Sequence, residues 1–429
     1  MTLAQGAYSA RIPASFTTRA HFTFSAAMKR PNSSGLIDSG SAPSLSKRFF
    51  VSGEATTAVD LAYALEIIDH RSQGENMIGA IGPLRVGLII LWLGLLLPAT
   101  AHAQGKWIKL APFPEPAEEL VGAAAAGKMY VFCGLAPGWK PLGMVYEYDP
   151  ATDKWTKKKP MPLLSHHVAF TEYRGKIYAF GGFVLPASGP PAWAPVDNAW
   201  EYDPAADSWK ALAPMPTKRG SPVASVVGDK IYVIGGATTP PGSKETVVHP
   251  ARPHVSVGAV EEYDPASNTW RPRSSMPTPR NHATAGAVNG KIYVIGGRVG
   301  GAFITSGSSN VDVVEEYDPA ADTWGSARAR MPSARSAMAS GVHGGRIYVT
   351  GGEGQNAQMM YTFRALEAYD PASNSWTVLP SLPVSRHGLA GAVVGNRLHM
   401  VSGDVQSAGT GVQVHSDSHD AFELDGGAK

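Results

Sequence analysis

Four arginines recur at one position of an internal repeat, and they are the residues of this sequence whose spacing best suits anion binding. Each lies four residues after the Met or Leu of a Met-Pro or Leu-Pro pair; they are Arg219, Arg280, Arg335 and Arg386. Guanidinium groups match carboxylates and phosphates through paired hydrogen bonds. The pattern predicts a basic mouth for an anionic ligand. The alternative is that the arginines belong to the repeat and pair with a neighbouring repeat or with backbone carbonyls.

Imidazole, amide and carboxylate groups follow directly after these positions. We expect three of them to join the arginines in ligand binding: His166, Asn281 and His387. Proton transfer needs a group that accepts and a group that donates near neutral pH. The candidates for such a catalytic role are Glu119, His167 and His282.

Two polar stretches elsewhere carry metal-ligand residue types. They contain Glu245, His249 and His254 in one stretch and His415, Asp417, His419 and Asp420 in the other. Imidazole and carboxylate at such spacings suit a divalent ion. Polar surface loops also produce such clusters without binding metal, so both interpretations stay open.

Bulk properties exclude several function classes. The formal net charge is only +2, with 37 Lys and Arg against 35 Asp and Glu, and the excess lies in the first hundred residues; this argues against nucleic-acid binding. The single Cys133 cannot form an intramolecular disulfide, and we expect it to be a buried small residue. The sequence has no Gly-x-Ser-x-Gly elbow, phosphate-binding loop or His-Glu-x-x-His motif, and no cofactor is expected.

Six repeats position these residues. They begin at Phe113-Pro114, Met161-Pro162, Met215-Pro216, Met276-Pro277, Met331-Pro332 and Leu382-Pro383. Twenty residues after each start comes a glycine pair or its remnant, and five units then carry Tyr-Asp-Pro followed by a Trp. Two apolar runs around a Gly-Lys type turn predict a hairpin in each unit. The Tyr and Trp runs predict strands three and four.

The order Gly-Gly, Tyr-Asp-Pro, Trp, Met-Pro-x-x-Arg resembles the kelch family from Trp107 to Leu424. The resemblance implies an all-β fold: a six-bladed β-propeller with four antiparallel strands per blade. The last unit lacks a Trp strand, whereas Trp107 has the Trp-to-Met spacing of the other units. We therefore expect residues 106–110 to complete the sixth blade, so that no sheet edge stays open.

The loops that follow the glycine pairs vary most in length, and binding usually resides in variable loops on a rigid scaffold. We call the face that they form, together with the segments after each Met-Pro, the long-loop face. Its loops are 183–198, 237–259, 298–313, 353–366 and 404–420.

The first hundred residues differ from the repeats. A twelve-residue apolar run from Val86 to Leu97 follows Arg85 and precedes Ala101-His102-Ala103, which is typical of a cleaved signal peptide. We expect residues 1–76 to be a non-structural or misannotated extension, 77–103 a signal peptide and 104–429 the propeller. A signal-anchor helix and a genuine N-terminal tail are the alternatives. Export implies a periplasmic or secreted protein, with no stable membrane span after cleavage.

Two function hypotheses remain open at this stage. The first is a monomeric binding module for a protein, peptide or acidic glycan. The second is an enzyme in the central cavity, by analogy with the six-bladed periplasmic sialic-acid mutarotase, which the chain resembles in export signal, blade count and length. In that case Glu119, His167 or His282 would transfer protons and Arg280 or Arg335 would hold the acid.

Overall fold

The computed structural model describes residues 105–305, 308–356 and 358–424. These residues form six four-stranded antiparallel sheets, and their one helical element is a short 3-10 turn, Ala408–Thr410. The six sheets are the blades of the predicted propeller, so the predicted fold class is confirmed.

The strands alternate along the chain as the repeats require. A short strand, β1 (Trp107–Lys109), comes before the first complete blade. Blade one contains β2 (Glu118–Ala125), β3 (Lys128–Ala136), β4 (Lys140–Asp149) and β5 (Lys154–Lys157). Blade two contains β6 (Ala169–Tyr173), β7 (Lys176–Phe180), β10 (Ala199–Asp203) and β11 (Ser208–Ala211), with the loop hairpin β8 (Phe183–Val184) and β9 (Ala194–Pro195).

Blades three to five repeat this plan. Blade three contains β12 (Val223–Val227), β13 (Lys230–Ile234), β16 (Val260–Asp264) and β17 (Thr269–Arg273), with β14 (Ala237–Thr238) and β15 (Val255–Ser256). Blade four contains β18 (Thr284–Val288), β19 (Lys291–Ile295), β22 (Val314–Asp318) and β23 (Thr323–Trp324), with β20 (Arg298–Gly300) and β21 (Ser308–Asn310). Blade five contains β24 (Ala339–His343), β25 (Arg346–Thr350), β28 (Leu366–Asp370) and β29 (Ser375–Leu379), with β26 (Glu353–Gln355) and β27 (Met360–Thr362).

Blade six is closed by a strand from each end of the propeller. It contains β30 (Ala390–Val394), β31 (Arg397–Val401) and β32 (His419–Glu423), and β1 pairs antiparallel with β32. Trp107 lies opposite Phe422, with the rings 5.2 Å apart, and its indole N–H donates to the Pro380 carbonyl at 2.7 Å. The predicted closure is confirmed, with a strand slightly shorter than the expected 106–110.

The repeated Tyr and Trp hold neighbouring blades together. In blade three the Tyr263 hydroxyl donates to the Asn268 side chain at 2.7 Å, which also accepts the N–H of Ala213 from the connection that enters the blade. The indole N–H of Trp270 donates to the carbonyl of the same Ala213 at 2.8 Å. Equivalent bonds recur in the other four blades that carry the Tyr-Asp-Pro signature. The aromatic signature thus combines apolar packing between blades with satisfied polar ends.

The glycine pair is required where one blade contacts the next. Gly235 and Gly236 have φ of +71° and +108°, and a Cβ on Gly235 would lie 2.7 Å from the Arg280 carbonyl. The N–H of Gly236 donates to the Arg280 carbonyl of the following blade at 2.9 Å. A side chain here would force apart two backbones that are hydrogen-bonded across the blade boundary.

Strand one of each blade lines the central channel, which encloses a cavity of about 240 Å³ between these strands. Small residues allow the strands to approach one another; for example, a Cβ on Gly122 would meet the Gly391 backbone at 2.5 Å. Cys133 is buried in the core, where burial raises the pKa of its thiol to about 12. This is the small buried residue expected from the sequence.

The predictions for the first hundred residues, namely the extension 1–76 and the signal peptide 77–103, lie outside the described residues. Within the described ranges, no helix is both long and apolar enough to cross a membrane.

Candidate functional site

The four repeat arginines are buried within their own blades. Their guanidinium groups donate to an acidic side chain of strand three, and the pairs are Arg219–Glu261, Arg280–Glu315, Arg335–Glu367 and Arg386–Asp420. Each guanidinium also donates to a backbone carbonyl of strand two. The expectation that these arginines form a basic channel mouth is therefore wrong, because burial requires each charge to be paired locally. The arginines are instead part of the repeat scaffold, which was the alternative interpretation.

The partner acids explain why two blades lack this arginine. Each acid lies two residues before the repeated Tyr, or before Phe422 in blade six. In blades one and two the arginine position holds Ala117 and Ser165, and the acid position holds Tyr146 and Trp200. Arginine and acid are present or absent together, which is a signal that the sequence alone contained.

The next two positions of each repeat line the mouth of the channel on the long-loop face. The second of them has a left-handed backbone in every blade, with φ from 50° to 58°; the six residues are Glu119, His167, Ser221, His282, Ala337 and Gly388. Their backbones are linked around the axis, since Ser221 N–H donates to His167 and Ala337 N–H donates to His282. Because Ala337 and Gly388 adopt the same conformation as the polar residues, the conformation is a property of the repeat scaffold. What differs between blades is the side chain that it directs at the axis.

Four of these side chains meet at the axis, and we call them the axial cluster: Glu119, His167, Ser221 and His282. His167 Nε2 lies 3.1 Å from Glu119 Oε2, and the His167 and His282 rings are 4.6 Å apart. His282 Nε2 lies 3.4 Å from the Ser221 hydroxyl. The three proton-transfer candidates from the sequence are thus neighbours, although they come from blades one, two and four.

Neighbouring side chains fix both imidazole rings of the axial cluster. Asn281 donates its amide N–H groups to Ser256 and to the Gly301 carbonyl, so its oxygen accepts from His282 Nδ1. The Nε2 lone pair of His282 therefore points at the axis. His166 and His167 contact each other through their Nδ1 atoms. His166 and Asn281 thus orient the axial histidines and, within the described residues, do not line the pocket described below.

The pKa values in the axial cluster are set by burial and by nearby charges. Burial by itself raises the pKa of Glu119, but His167, His387 and Arg298 together lower it to about 2. Burial is the main reason that the pKa of His282 lies well below its usual value, and Arg298 adds to that effect. At neutral pH the cluster therefore combines a carboxylate with a neutral imidazole.

A second group of buried charges surrounds the axial cluster, and we call it the charged collar: Glu118, Arg298, Glu353, His387 and Asp404. Arg298 Nη1 donates to Glu353 at 2.8 Å, and His387 Nε2 lies 3.4 Å from Glu118 and 3.8 Å from Glu353. Burial opposes a charge on His387, but Glu353 and Glu118 raise its pKa to about 10. His387 is therefore an imidazolium held between carboxylates. The sequence predicted that His387 would bind an anionic ligand, but its charge is already paired within the protein.

Sequence reasoning did not identify Arg298, Glu353 and Asp404 as site residues. Each directly follows the glycine pair, or its Ser402-Gly403 remnant, of its blade, where blades one to three have Leu135, Phe183 and Ala237. In the other repeats this strand begins with an apolar residue. A charged residue at the same position could therefore have identified these three site residues from the sequence.

A pocket of about 370 Å³ opens above these charges on the long-loop face. Glu118, Glu119 and Arg298 form its charged part, and Trp139 and Phe303 are among its aromatic residues. The two aromatic rings stack with centroids 5.4 Å apart. We call this site the entrance pocket. An aromatic wall beside a few convergent polar groups is typical of a ligand site.

The metal sites expected in the loops are not formed as proposed. His254 donates from Nδ1 to the Arg252 carbonyl, and its Nε2 accepts the N–H of Ala302, so both ring nitrogens are used. Glu245 pairs with Arg252, and His249 Nδ1 accepts a backbone N–H.

In the final loop, His419 is a core residue. Its Nδ1 faces the Ala111 carbonyl, and its Nε2 lies 2.9 Å from His399 Nδ1. His415 alone, among the seven loop candidates, joins a possible metal-binding group of the described residues, with Glu118 and Asp404. Two further groups of this kind are Glu119–His167–His282 and Glu118–Glu119–His387.

Comparisons with known proteins agree with this architecture. The KLHDC2/KLHL20/DRC7 Kelch-repeats domain matches residues 253–403, and the Kelch motif matches residues 121–162, 165–216 and 218–277. The Kelch-like protein terF of Aspergillus terreus is 29% identical over 338 residues, which are 76% of this chain and 70% of the fungal protein. Kelch-like protein 23 of Homo sapiens is 28% identical over 279 residues, 65% of this chain but only 44% of the human protein.

A solved structure has the same fold. The "Structure of YjhT" superposes with a TM-score of 0.58 at 18% identity, covering 72% of this chain and 95% of the other. Identity at this level supports the fold alone. With the repeat matches, the related sequences and the six closed blades, the chain belongs to the kelch-repeat β-propeller family.

Proposed function

We propose that this protein is a binding module that takes a basic side chain of a partner protein or peptide into the entrance pocket. The observation that carries the proposal is the composition of the pocket, which combines Glu118 and Glu119 with the stacked Trp139 and Phe303. Carboxylates bind guanidinium and ammonium groups, and aromatic faces attract the same cations. The pocket volume of about 370 Å³ accommodates one long side chain.

The charge balance around the pocket supports a cationic ligand over an anionic one. The charged collar and Glu119 together contain four carboxyl groups but only two basic groups, Arg298 and His387. Both basic groups already face Glu353. Glu118 Oε2 is buried, and its contact with His387 Nε2 at 3.4 Å is not a well-aligned hydrogen bond in the described residues. An inserted guanidinium would supply an aligned donor to this oxygen.

The test uses blocked arginine, Nα-acetyl-arginine methylamide, with blocked citrulline as the uncharged isostere. Calorimetry of the full chain should show binding of the arginine compound and at least about tenfold weaker binding of citrulline, which corresponds to about 1.4 kcal/mol. Glu118→Gln should weaken arginine binding by a similar factor, and Trp139→Ala should weaken it through lost stacking. Glu245→Gln is the control, because Glu245 lies on the same face but outside the pocket. Equal binding of arginine and citrulline would overturn the proposal.

Enzyme activity is the second candidate, and the axial cluster favours it. His282 directs a neutral Nε2 at the axis as a proton acceptor, and the His167 Nε2 beside Glu119 is the nitrogen that can donate into the same space. Arg298, rather than Arg280 or Arg335, is the arginine that lines the pocket and would hold the carboxylate of an acidic sugar. Exchange NMR with freshly dissolved α-sialic acid tests this: acceleration by wild type and not by His282→Asn supports an anomer-converting enzyme, and equal rates exclude it.

We also propose that the protein acts outside the cytoplasm, in the periplasm or as a secreted protein. This rests on the apolar run from Val86 to Leu97 and the Ala101-His102-Ala103 site.

A further inference from the structure

We propose that Glu119, His167 and His282 form a binding site for a divalent transition cation of the Zn²⁺ class at the axis of the propeller. The site differs from the loop sites expected from the sequence. It shares Glu119 with the entrance pocket but also depends on the axial histidines, which do not line that pocket.

The three ligand atoms are close enough to share one ion. One carboxylate oxygen of Glu119 and one ring nitrogen of each histidine lie within 4.8 Å of one another. His167 Nε2 and Glu119 Oε2 are 3.1 Å apart. Ligand bonds of about 2.0–2.1 Å at tetrahedral angles place neighbouring ligand atoms about 3.3 Å apart. The observed spacing, 3.1 Å for one pair and at most 4.8 Å for the others, requires the ligand atoms to approach one another by up to about 1.5 Å to reach this geometry.

Among the described residues, the Nε2 atoms of the two axial histidines make no strong hydrogen bond that would compete with an ion. His167 Nε2 is buried and lacks a well-aligned hydrogen-bond partner, and His282 Nε2 has only the long 3.4 Å contact with Ser221. Both rings are nevertheless held firmly through Nδ1, by His166 and Asn281. Metal-binding histidines are typically oriented in this way by a partner on the other ring nitrogen.

The proton positions are compatible with ligation. His282 already carries its proton on Nδ1, where Asn281 accepts it. The Nδ1 atoms of His166 and His167 share one hydrogen bond, and His167 Nε2 faces Glu119. When an ion takes the Nε2 lone pair of His167, its Nδ1–H can donate to His166.

The donor set selects the class of ion. Two imidazole nitrogens and one carboxylate oxygen suit Zn²⁺ or Co²⁺, whereas Mg²⁺ and Ca²⁺ prefer oxygen ligands. Glu119 also lines the entrance pocket, so a fourth position on the ion faces the space where a solvent molecule or ligand enters. The other histidine group, with His387, is less suitable because His387 lies between two carboxylates as a cation.

The experiment is a titration of the metal-free full chain with Zn²⁺ in competition with a chromophoric chelator, and with Co²⁺ followed by visible absorption. We expect one equivalent of Zn²⁺ to bind, a tetrahedral-type Co²⁺ spectrum, and no comparable binding of Mg²⁺. His282→Asn should weaken Zn²⁺ binding by about 100-fold or more, since even outer partners of metal ligands matter 10–100-fold. Asparagine tolerates the left-handed backbone that this position requires, so the fold should persist.

His249→Gln is the matched control, because His249 belongs to the loop expected to bind metal but lies outside the axial cluster. It should leave Zn²⁺ affinity unchanged. Wild-type affinity in His282→Asn, or loss of binding in His249→Gln, overturns the proposal, as does the absence of Zn²⁺ binding by wild type. If His282→Asn does not fold, Glu119→Gln serves in its place with the Co²⁺ spectrum as the readout. Trp139→Ala should retain Zn²⁺ binding, which separates this outcome from failure of the proposed function.

Discussion

Arg219 donates from Nη1 to Glu261 Oε2 at 2.7 Å inside blade three, and both side chains are buried. Its Nη2 donates to the Val233 carbonyl at 3.1 Å. One side chain thus connects the segment that enters the blade with its second and third strands. The equivalent pairs in blades four to six make the same connection.

Removing one partner of this pair should destabilise the protein strongly. Arg219→Met leaves Glu261 buried without its cation, and we expect the free energy of unfolding to fall by about 3–5 kcal/mol. The double variant Arg219→Met/Glu261→Leu should recover much of this loss, because blades one and two fold with apolar or uncharged residues at both positions. Urea denaturation of the full chain measures both effects.

Arg271→Met is the control in the same blade. Its side chain is 62% exposed and pairs with Glu262, so we expect a loss below about 1 kcal/mol. If Arg219→Met were as mild as this control, the buried pair would not be part of the scaffold.

Deleting the closing strand should expose the edge of blade six. Removal of residues 106–110 deletes the pairing of β1 with β32 and the Trp107 bond to Pro380. We expect a loss of about 3–5 kcal/mol, typical of losing a large packed aromatic residue, together with aggregation through the open strand. Denaturation and light scattering measure the two effects. Lys109→Ala, an exposed change in the same strand, should alter neither; unchanged stability of the deletion would contradict closure by β1.

Blade six should make stability depend on pH through His399 and His419. Burial lowers the pKa of His399 to about 4 and that of His419 to about 3, whereas an unfolded histidine titrates near about 6.5. Between these values the unfolded chain binds protons that the folded chain excludes. Stability should therefore decrease as the pH falls below about 6.5, by up to about 1.4 kcal/mol per pH unit for each histidine.

A variant that restores the repeat tests this pH dependence. The His399 position holds Tyr348 in blade five, opposite Ala368 as His399 is opposite Ala421, and the His419 position holds Val in blades three and four. His399→Tyr/His419→Val should remove much of the difference in unfolding free energy between about pH 7 and about pH 5. The same pH profile in wild type and variant would assign the dependence to other groups.

Export predicts a shortened mature chain. Because the run from Val86 to Leu97 is followed by Ala101-His102-Ala103, N-terminal sequencing of protein from its native host should begin at or near Gln104. Ala103→Glu should block cleavage and give a longer product. An intact chain from Met1 in the cytoplasm would contradict export.

The sequence determined the blade count and the closing strand because both depend on local, repeated requirements. The glycine pair is needed wherever a backbone of the next blade approaches, as Gly235 shows. Each Trp needs the carbonyl two residues before the Met-Pro, or its equivalent, that begins its own blade. Such requirements recur at fixed spacing, so they can be read without a structure. The missing Trp strand of the last unit and the unpaired Trp107 then left one way to close the ring.

The role of the repeat arginines was decided by tertiary structure. Their positions are visible in the sequence, but a guanidinium can face a channel or a partner strand from the same backbone position. The deciding residue lies on strand three, as Glu261 does for Arg219, and only folding of the blade brings the two together.

The axial cluster likewise depends on ring closure. Glu119, His167 and His282 are separate candidates in the sequence, and they become neighbours because blades one, two and four direct equivalent positions at one axis. Arg298 and Glu353 join them from the following strand starts. The histidines of the loops show the opposite case: His254 and His419 have suitable chemistry, but their ring nitrogens already bind other groups of the protein.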